Sequence, residues 1–183
     1  ALIKAKDQKL PMNFKSSDSM KPIKYHSHIP SAQVKSSLIL AALYIKGESI
    51  ISEDVKTRDH TERLLKYMEY PISIDKETIT LQGCENIVAK DIDVPSDISS
   101  AAFFIVAALI KEGSDITLNN IGVNPLRTGI IDILLKMGAN IKLTNCRTIC
   151  NEPVADIKVK YSQLTPINIS GDIISRLIDE LPV

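Results

Sequence analysis

Short runs of apolar and polar positions alternate along the chain with two different periods, and the order of those periods repeats. The first 22 residues are broken by Pro11, the polar run Lys15-Ser16-Ser17-Asp18-Ser19 and Pro22, and only Pro11 to Phe14 predicts a short strand. Ile23 to Ile29 alternates Ile23 and Tyr25 with polar neighbours, a strand signal. Ala32 to Ile45 then carries Val34, Leu38, Ile39, Ala41, Ala42 and Ile45 at helical spacing, with Ser31 as its N-cap and Gly47 as its stop. Ser49 to Ser52 reads as a strand and Asp59 to Met68 as an amphipathic helix capped by Thr57. Ile72 to Ile74 and Thr78 to Leu81, joined by Asp75-Lys76-Glu77, read as a hairpin.

The same order recurs. Ile87 to Val94 is strand-like, Pro95 to Ser100 leads into a helix from Ala101 to Ile110, and Gly113 stops it. Asp115 to Leu118 predicts a strand and Thr128 to Met137 a helix. Asn140 to Leu143 with Thr148 to Cys150 predicts a hairpin, and Asp156 to Val159 a further strand. Pro30-Ser31 aligns with Pro95-Ser96, Ala41-Ala42-Leu43 with Ala107-Ala108-Leu109, Gly47 with Gly113, and Leu64-Leu65-Lys66 with Leu134-Leu135-Lys136. The expectation is an α/β (α+β) protein made of two copies of one unit, meeting near Cys84 to Lys90. A third copy opens at Ile167 to Asp172 and Ile174 to Pro182, where the sequence stops, so an interior slice of a larger enzyme is expected.

Composition narrows the function. Apolar residues make up 44% and charged residues 24%, enough for a folded core. Lys plus Arg and Asp plus Glu both number 22, so the basic excess of a nucleic-acid binder is missing, although a local cationic pocket for a phosphorylated ligand is compatible with neutrality. The longest apolar stretch, Ala101 to Ile110, is half of the roughly 20 residues that span a bilayer, and the first residues lack a signal-type apolar run, so a cytoplasmic protein with no membrane partner is expected. Cys146 and Cys150 lack a second pair or nearby His, which predicts free thiols and no metal.

Three helix openings carry candidate chemistry. Ser31, Gln33 and Lys35 combine a hydroxyl, an amide and an ammonium with free helix N–H groups, suited to an anion or equally to plain capping. In Thr57 to Glu62, Arg58 can grip an anion while Asp59 and Glu62 favour the helix dipole; His60 invites a base assignment but has no nucleophile at triad spacing. Asp97, Ser99 and Ser100 repeat the theme, and Asn124 with Arg127 adds an amide and a cation. Asp179-Glu180 offers carboxylates for hydroxyl binding or proton transfer, or an acidic first helical turn.

Taken together, Ser31-Ala32-Gln33-Val34-Lys35-Ser36, Thr57-Arg58-Asp59-His60-Thr61-Glu62-Arg63, Asp97 to Phe104, Asn124-Pro125-Leu126-Arg127-Thr128-Gly129, Glu152 to Asp156 and Leu177 to Pro182 resemble the EPSP synthase family, 3-phosphoshikimate 1-carboxyvinyltransferases. The resemblance implies the two-lobed enolpyruvyl transferase fold of inverse βαβαββ units. Residues 1–88 would be the last unit of the shikimate-phosphate-binding lobe, and 89–183 the first unit of the other lobe with the start of the next.

It also implies transfer of the enolpyruvyl group of phosphoenolpyruvate to shikimate-3-phosphate, in aromatic amino-acid biosynthesis, with no cofactor or metal. By resemblance Ser31, Ala32 and Gln33 hold shikimate-3-phosphate, Arg58 contacts its phosphate, and Asp179 binds the ring hydroxyls and assists proton transfer. Glu180 has no assigned role. Ser96 departs from the family's usual Gly. The catalytic lysine and the arginine loops of the family are not in these residues, so the chain alone is expected to be inactive and to self-associate through cut faces, the full enzyme being a monomer. The sister transferase acting on UDP-N-acetylglucosamine, or a non-catalytic domain of the same fold, is the alternative.

Overall fold

The computed structural model describes residues 2–7, 9–15 and 19–183; the centre of the expected break at Lys15 to Ser19 lies outside them. Two compact units form, one from residues 1–57 and 70–87 and the other from 58–69 and 88–183. Among the described residues no helix is long and apolar enough to cross a membrane.

The first unit opens with an antiparallel hairpin of β1 (Leu2–Lys6) and β2 (Lys9–Lys15), Ala5 facing Met12. The expected strand is β2; its partner, five residues long, carries too short an alternation to register as a pattern. The main sheet holds β3 (Lys24–Ser27), β4 (Gly47–Glu53), β5 (Ile72–Asp75) and β6 (Thr78–Gly83) in the order β3-β4-β6-β5. Only β3 and β4 run parallel, with Tyr25 beside Ile51 and His26 beside Ser52. Ser49, Ile51 and Glu53 are buried at alternate positions of β4, the period-two signature of a half-buried strand. Helix α1 (Ala32–Ala42) joins this unit, and Ser31 caps it as expected, its Oγ accepting from the Val34 N–H at 3.3 Å.

Helix α1 ends at Ala42 rather than Ile45 because the chain leaving β6 lies against its end. The Cys84 N–H takes the Leu43 carbonyl at 2.8 Å. A Cβ on Gly83 would stand 2.0 Å from the Ile45 carbonyl oxygen and 2.4 Å from that of Ala42, so only glycine permits this approach.

One charged pair is buried in the unit. Lys35 Nζ donates to Glu53 Oε1 at 2.9 Å and to the Thr57 carbonyl at 3.2 Å, while Glu53 accepts from the Thr57 N–H and hydroxyl at 3.0 and 2.6 Å. Thr57 therefore does not cap the following helix: its hydroxyl is committed to Glu53. Lys35 is likewise turned inward, 3% exposed, and is no anion ligand beside Ser31 and Gln33.

The second unit contains α2 (His60–Tyr67), α3 (Ile98–Ile110), β7 (Asp115–Gly122), α4 (Gly129–Lys136), β8 (Asn140–Ile149), β9 (Glu152–Lys160) and a 3-10 turn at Asp172–Arg176. Its sheet runs β7-β9-β8, with Val154, Ala155, Ile157 and Val159 of the central strand fully buried. Ile98, Ile105 and Leu109 of α3 and Ile130, Ile131 and Leu134 of α4 complete that core. Helix α3 starts three residues earlier than expected, since Asp97 supplies the cap, accepting from the Ser100 N–H at 3.1 Å.

Two expectations fail here. Residues 87–94 form no strand: Ile87, Val88, Ile92 and Val94 are exposed, and pairing with β7 is reduced to one parallel bridge, Ser96 with Ile121. Nor do residues 140–150 fold back on themselves. They make one bulged strand, β8, and the hairpin is β8 with β9, turning at Cys150-Asn151.

The bulges explain that long strand. Asn120 in β7 and Asn145 in β8 both adopt positive φ opposite β9, and Asp156 fills the gap, accepting from the Asn120 N–H at 2.9 Å and from Asn145 Nδ2 at 3.1 Å. The Asn120 N–H and Asn145 amide, with Arg147 nearby, hold the Asp156 carboxyl below its ordinary pKa.

Gly83→Ala is expected to destabilise the first unit by about 1–3 kcal/mol or more, since the obstacles are backbone carbonyls that cannot rotate away. Thermal unfolding measures it; an unchanged midpoint would mean β6 does not press on α1 as described.

Candidate functional site

Two networks of polar side chains meet in the second unit. The first is buried around Asn124, 2% exposed, in the turn between β7 and α4. Its Nδ2 donates to Asp59 Oδ1 at 2.7 Å and to Glu152 Oε2 at 3.3 Å, and its Oδ1 accepts from the Leu126 N–H at 2.9 Å. Asp59 precedes α2, and Glu152 begins β9, so one amide ties three segments together. Arg63 Nε adds 2.8 Å to Asp59, and its Nη1 reaches the Asn151 carbonyl at 2.9 Å. Burial works against the Arg63 cation, but Asp59, Glu152 and Glu62 outweigh it and raise its pKa.

His60 belongs to this network too, Nδ1 to Glu152 Oε1 at 2.7 Å, while its Nε2 is buried without a hydrogen-bond partner among the described residues. The ring is thus oriented from one side as a positioned imidazole.

The second network runs along the wall formed by residues 126–127 and 176–180. Arg127 Nη2 lies 2.8 Å from Asp97 Oδ1 and donates to Ser99 Oγ at 2.9 Å; Ser99 in turn donates to Glu180. Arg176 is engaged by the Pro125 carbonyl at 2.8 Å and by Asp132 at 2.7 Å. Arg58 is different. Among the described residues its ion-pair partner is Asp179, with Nη1 to Oδ2 at 3.9 Å, and it makes no hydrogen bond. Arg58 and Asp179 are 38% and 61% exposed, so a guanidinium and a carboxylate stand side by side facing solvent. Glu180, next in the chain, is buried and bonded to Ser99.

Gly129 allows that wall to form. A Cβ there would lie 2.9 Å from the Arg176 carbonyl oxygen and 3.0 Å from Leu177 Cβ, so the start of α4 seats directly on the segment that carries Asp179. Partial burial pushes Asp97 upward, but the Ser100 N–H, the Arg127 charge and the Ser99 N–H prevail and leave its carboxyl below the ordinary value.

A larger cavity of about 450 Å³ adjoins both networks and shares Arg127 with the cleft; its lining includes His60, Ile92, Asp97, Asn124 and Cys150. Its walls are mainly apolar, and Asp97, Asn124 and Arg127 are already paired with protein groups. The cleft that holds Arg58, Arg127, Arg176, Asp179 and Glu180 is shallow, about 10 Å³. The cleft presents opposite charges to solvent, an arrangement that can hold an anion beside a hydroxyl group.

Of the residues singled out in the sequence, Arg58 and Asp179 are brought together here. Ser31, Ala32 and Gln33 lie in the first unit at the start of α1. Gln33 is exposed, and Ser31 Oγ accepts its capping bond while keeping its own hydrogen to donate. The Asp59–Asn124–Glu152 link went unforeseen. Its members are 65 and 28 residues apart in sequence, and no periodicity connects them.

The architecture is that of a mixed α/β protein with helices packed on small antiparallel-rich sheets. The EPSP synthase (3-phosphoshikimate 1-carboxyvinyltransferase) family matches residues 1–183, and the chain belongs to that family. It is 50% identical over 182 residues to a 3-phosphoshikimate 1-carboxyvinyltransferase of Vesicomyosocius okutanii, covering 100% of this chain and 42% of that protein. With the enzyme of the same name from Endomicrobium trichonymphae it shares 46% over 183 residues, 100% of this chain and 43% of the other. A solved EPSP synthase from Acinetobacter baumannii superimposes with a TM-score of 0.86 at 43% identity, over 100% of this chain and 42% of that one. The chain thus spans about two fifths of the length of the curated relatives it matches.

Two outcomes are expected. Asn124→Ala leaves the Asp59 and Glu152 carboxylates facing each other without their shared donor and should cost about 2–4 kcal/mol in denaturant unfolding; a loss near zero would show the amide to be dispensable. A depressed Asp97 pKa means stability held above the unfolded value of 3.8 and lost as pH falls below it towards the folded value. Asp97→Asn keeps a good cap but not the charge, so its thermal midpoint should depend less on pH below about 4 than that of the parent, and identical acid limbs would contradict the pairing with Arg127.

Proposed function

We propose that the protein carrying this chain transfers the enolpyruvyl group of phosphoenolpyruvate to the 5-hydroxyl of shikimate-3-phosphate, releasing inorganic phosphate. The carrying observation is the exposed Arg58–Asp179 pair, held at 3.9 Å with no other partner among the described residues, in a chain of this family. A loosely paired guanidinium can exchange its carboxylate for a phosphate with little loss, and the released carboxylate is then a hydroxyl acceptor.

In this reading Arg58 takes the 3-phosphate and Asp179 the ring hydroxyls, including the reacting one. Ser31 donates its hydroxyl hydrogen to the phosphate, with the first N–H groups of α1, including the segment of Ala32, adding the positive end of a helix. Gln33 contributes its amide near the ring and the incoming carbons. The 5-oxygen bonds to C2 of phosphoenolpyruvate as its methylene carbon gains a proton, and Asp179 assists in removing the hydroxyl proton. The C2–phosphate bond then breaks and a proton leaves the methyl carbon, giving the enolpyruvyl ether and phosphate. Charge-assisted donors gather two anions that would otherwise repel, and orientation supplies much of the rate.

Residues 1–88 and 89–183 are read as the last inverse βαβαββ unit of one lobe and the first of the other. The corresponding strand orders β3-β4-β6-β5 and β7-β9-β8 support this, the second opening on the Ser96 bridge where the first has β3. So does the outer side of α3, where Phe103 and Phe104 are 63% and 62% exposed, as expected of a face that meets a neighbouring unit. Spanning two fifths of its relatives, the chain by itself is expected to bind weakly and not turn over.

The test is made in the whole enzyme. Arg58→Ala should weaken shikimate-3-phosphate binding by about 10- to 100-fold, the worth of a charge-assisted bond, and Asp179→Asn should lower kcat by about 10²- to 10⁴-fold. Phosphate release and calorimetric titration measure both. Wild-type affinity in Arg58→Ala, or preference for the UDP-sugar over shikimate-3-phosphate, would overturn the reading.

A further inference from the structure

The first unit carries a second cluster of chemistry at the ends of its parallel strands. His26 lies on β3 and His28 in the bend just beyond it, and the two rings meet on one side of the chain. The parallel pairing with β4 sets His26 beside Ser52, and the Asp54 N–H bonds to the Ser27 carbonyl at 3.3 Å, continuing the ladder one step past the strand. The result is convergence: His26 Nε2 lies 2.8 Å from Asp54 Oδ1, and His28 Nδ1 lies 3.2 Å from Asp54 Oδ2. The two rings stand edge to face, with centroids 4.6 Å apart.

We propose that His26, His28 and Asp54 bind one divalent transition-metal ion of the Zn²⁺, Ni²⁺, Co²⁺ or Cu²⁺ type. One ligand atom from each residue lies within 4.8 Å of the others. In a tetrahedral site with bonds of about 2.1 Å the ligand atoms stand about 3.4 Å apart, so small side-chain rotations make room for the ion. Two imidazoles with one carboxylate select these metals over Mg²⁺ and Ca²⁺, which take oxygen-rich sites. His26 also has the outer support typical of a ligand, its Nδ1 held by Ser52 Oγ at 2.8 Å, which fixes the ring while Nε2 faces the site. Exposure of 45%, 80% and 52% for His26, His28 and Asp54 leaves an open path for the ion and for water in the remaining position.

Cysteine spacing carries no sign of this cluster. Asp54 is 26 residues from His28 in the chain, and only the strand pairing unites them.

The chain has three histidines, which makes the test direct. Zn²⁺ is titrated into the full chain by calorimetry and by imidazole-detected ¹⁵N NMR. Expected are one chelator-reversible ion per chain, shifts at His26 and His28 with His60 unmoved, and a thermal midpoint raised by excess Zn²⁺. The double substitution His26→Gln with His28→Gln should weaken binding at least about tenfold, as should Asp54→Asn. These side chains are exposed, and circular dichroism verifies that the variants fold. No binding in excess Zn²⁺ overturns the proposal. So does affinity unaffected by the double substitution, or binding abolished only by replacing Cys84, Cys146 and Cys150 with serine.

Discussion

One amide group holds two carboxylates together in the second unit. Asn124 gives one hydrogen to Asp59 and the other to Glu152, and its oxygen takes a backbone N–H from its own turn. Without a shared donor the buried Asp59 and half-buried Glu152 carboxylates would repel and draw in water. With it, the start of α2, the β7–α4 turn and the start of β9 are locked as one piece. Arg58 is the residue immediately before Asp59, so its exposed position on the 126–127 and 176–180 wall follows from that lock.

Around this anchor the charges divide by burial. Arg127 and Arg176 are committed to Asp97, Ser99, Asp132 and a backbone carbonyl, and Glu180 is turned inward to Ser99. Arg58 and Asp179, by contrast, remain outward and loosely paired. The first unit uses the same economy: Lys35 and Glu53 are spent on the Thr57 backbone, and Ser31 and Gln33 are left at the helix start. Adjacent residues of similar chemistry thus have opposite fates, and only the ones the fold has not used face solvent.

Much of this fold was legible in the sequence because its signals are local. Ser31 before an apolar helix, the 75–77 turn between β5 and β6, and the apolar spacing of α4 each act within a few residues. What was not legible depends on partners distant in the chain. Residues 87–94 have strand-like composition but find no neighbouring ladder, and the hairpin expected within residues 140–150 gives way to a long bulged strand because Asp156, on β9, fills the bulge. Thr57 resembled a cap until Glu53 claimed it. Arg58 and Asp179 were named from the motifs that resemble the family, but neither their 3.9 Å proximity nor the Asn124 lock that precedes it is written in any spacing.

The most direct measurement is a crystal structure of the whole enzyme with shikimate-3-phosphate bound. Phosphate oxygens are expected within hydrogen-bond distance of the Arg58 guanidinium, with ring hydroxyls on Asp179 and the Asp59–Asn124–Glu152 link intact. A ligand seated elsewhere, with Arg58 and Asp179 still facing only each other, would contradict that placement.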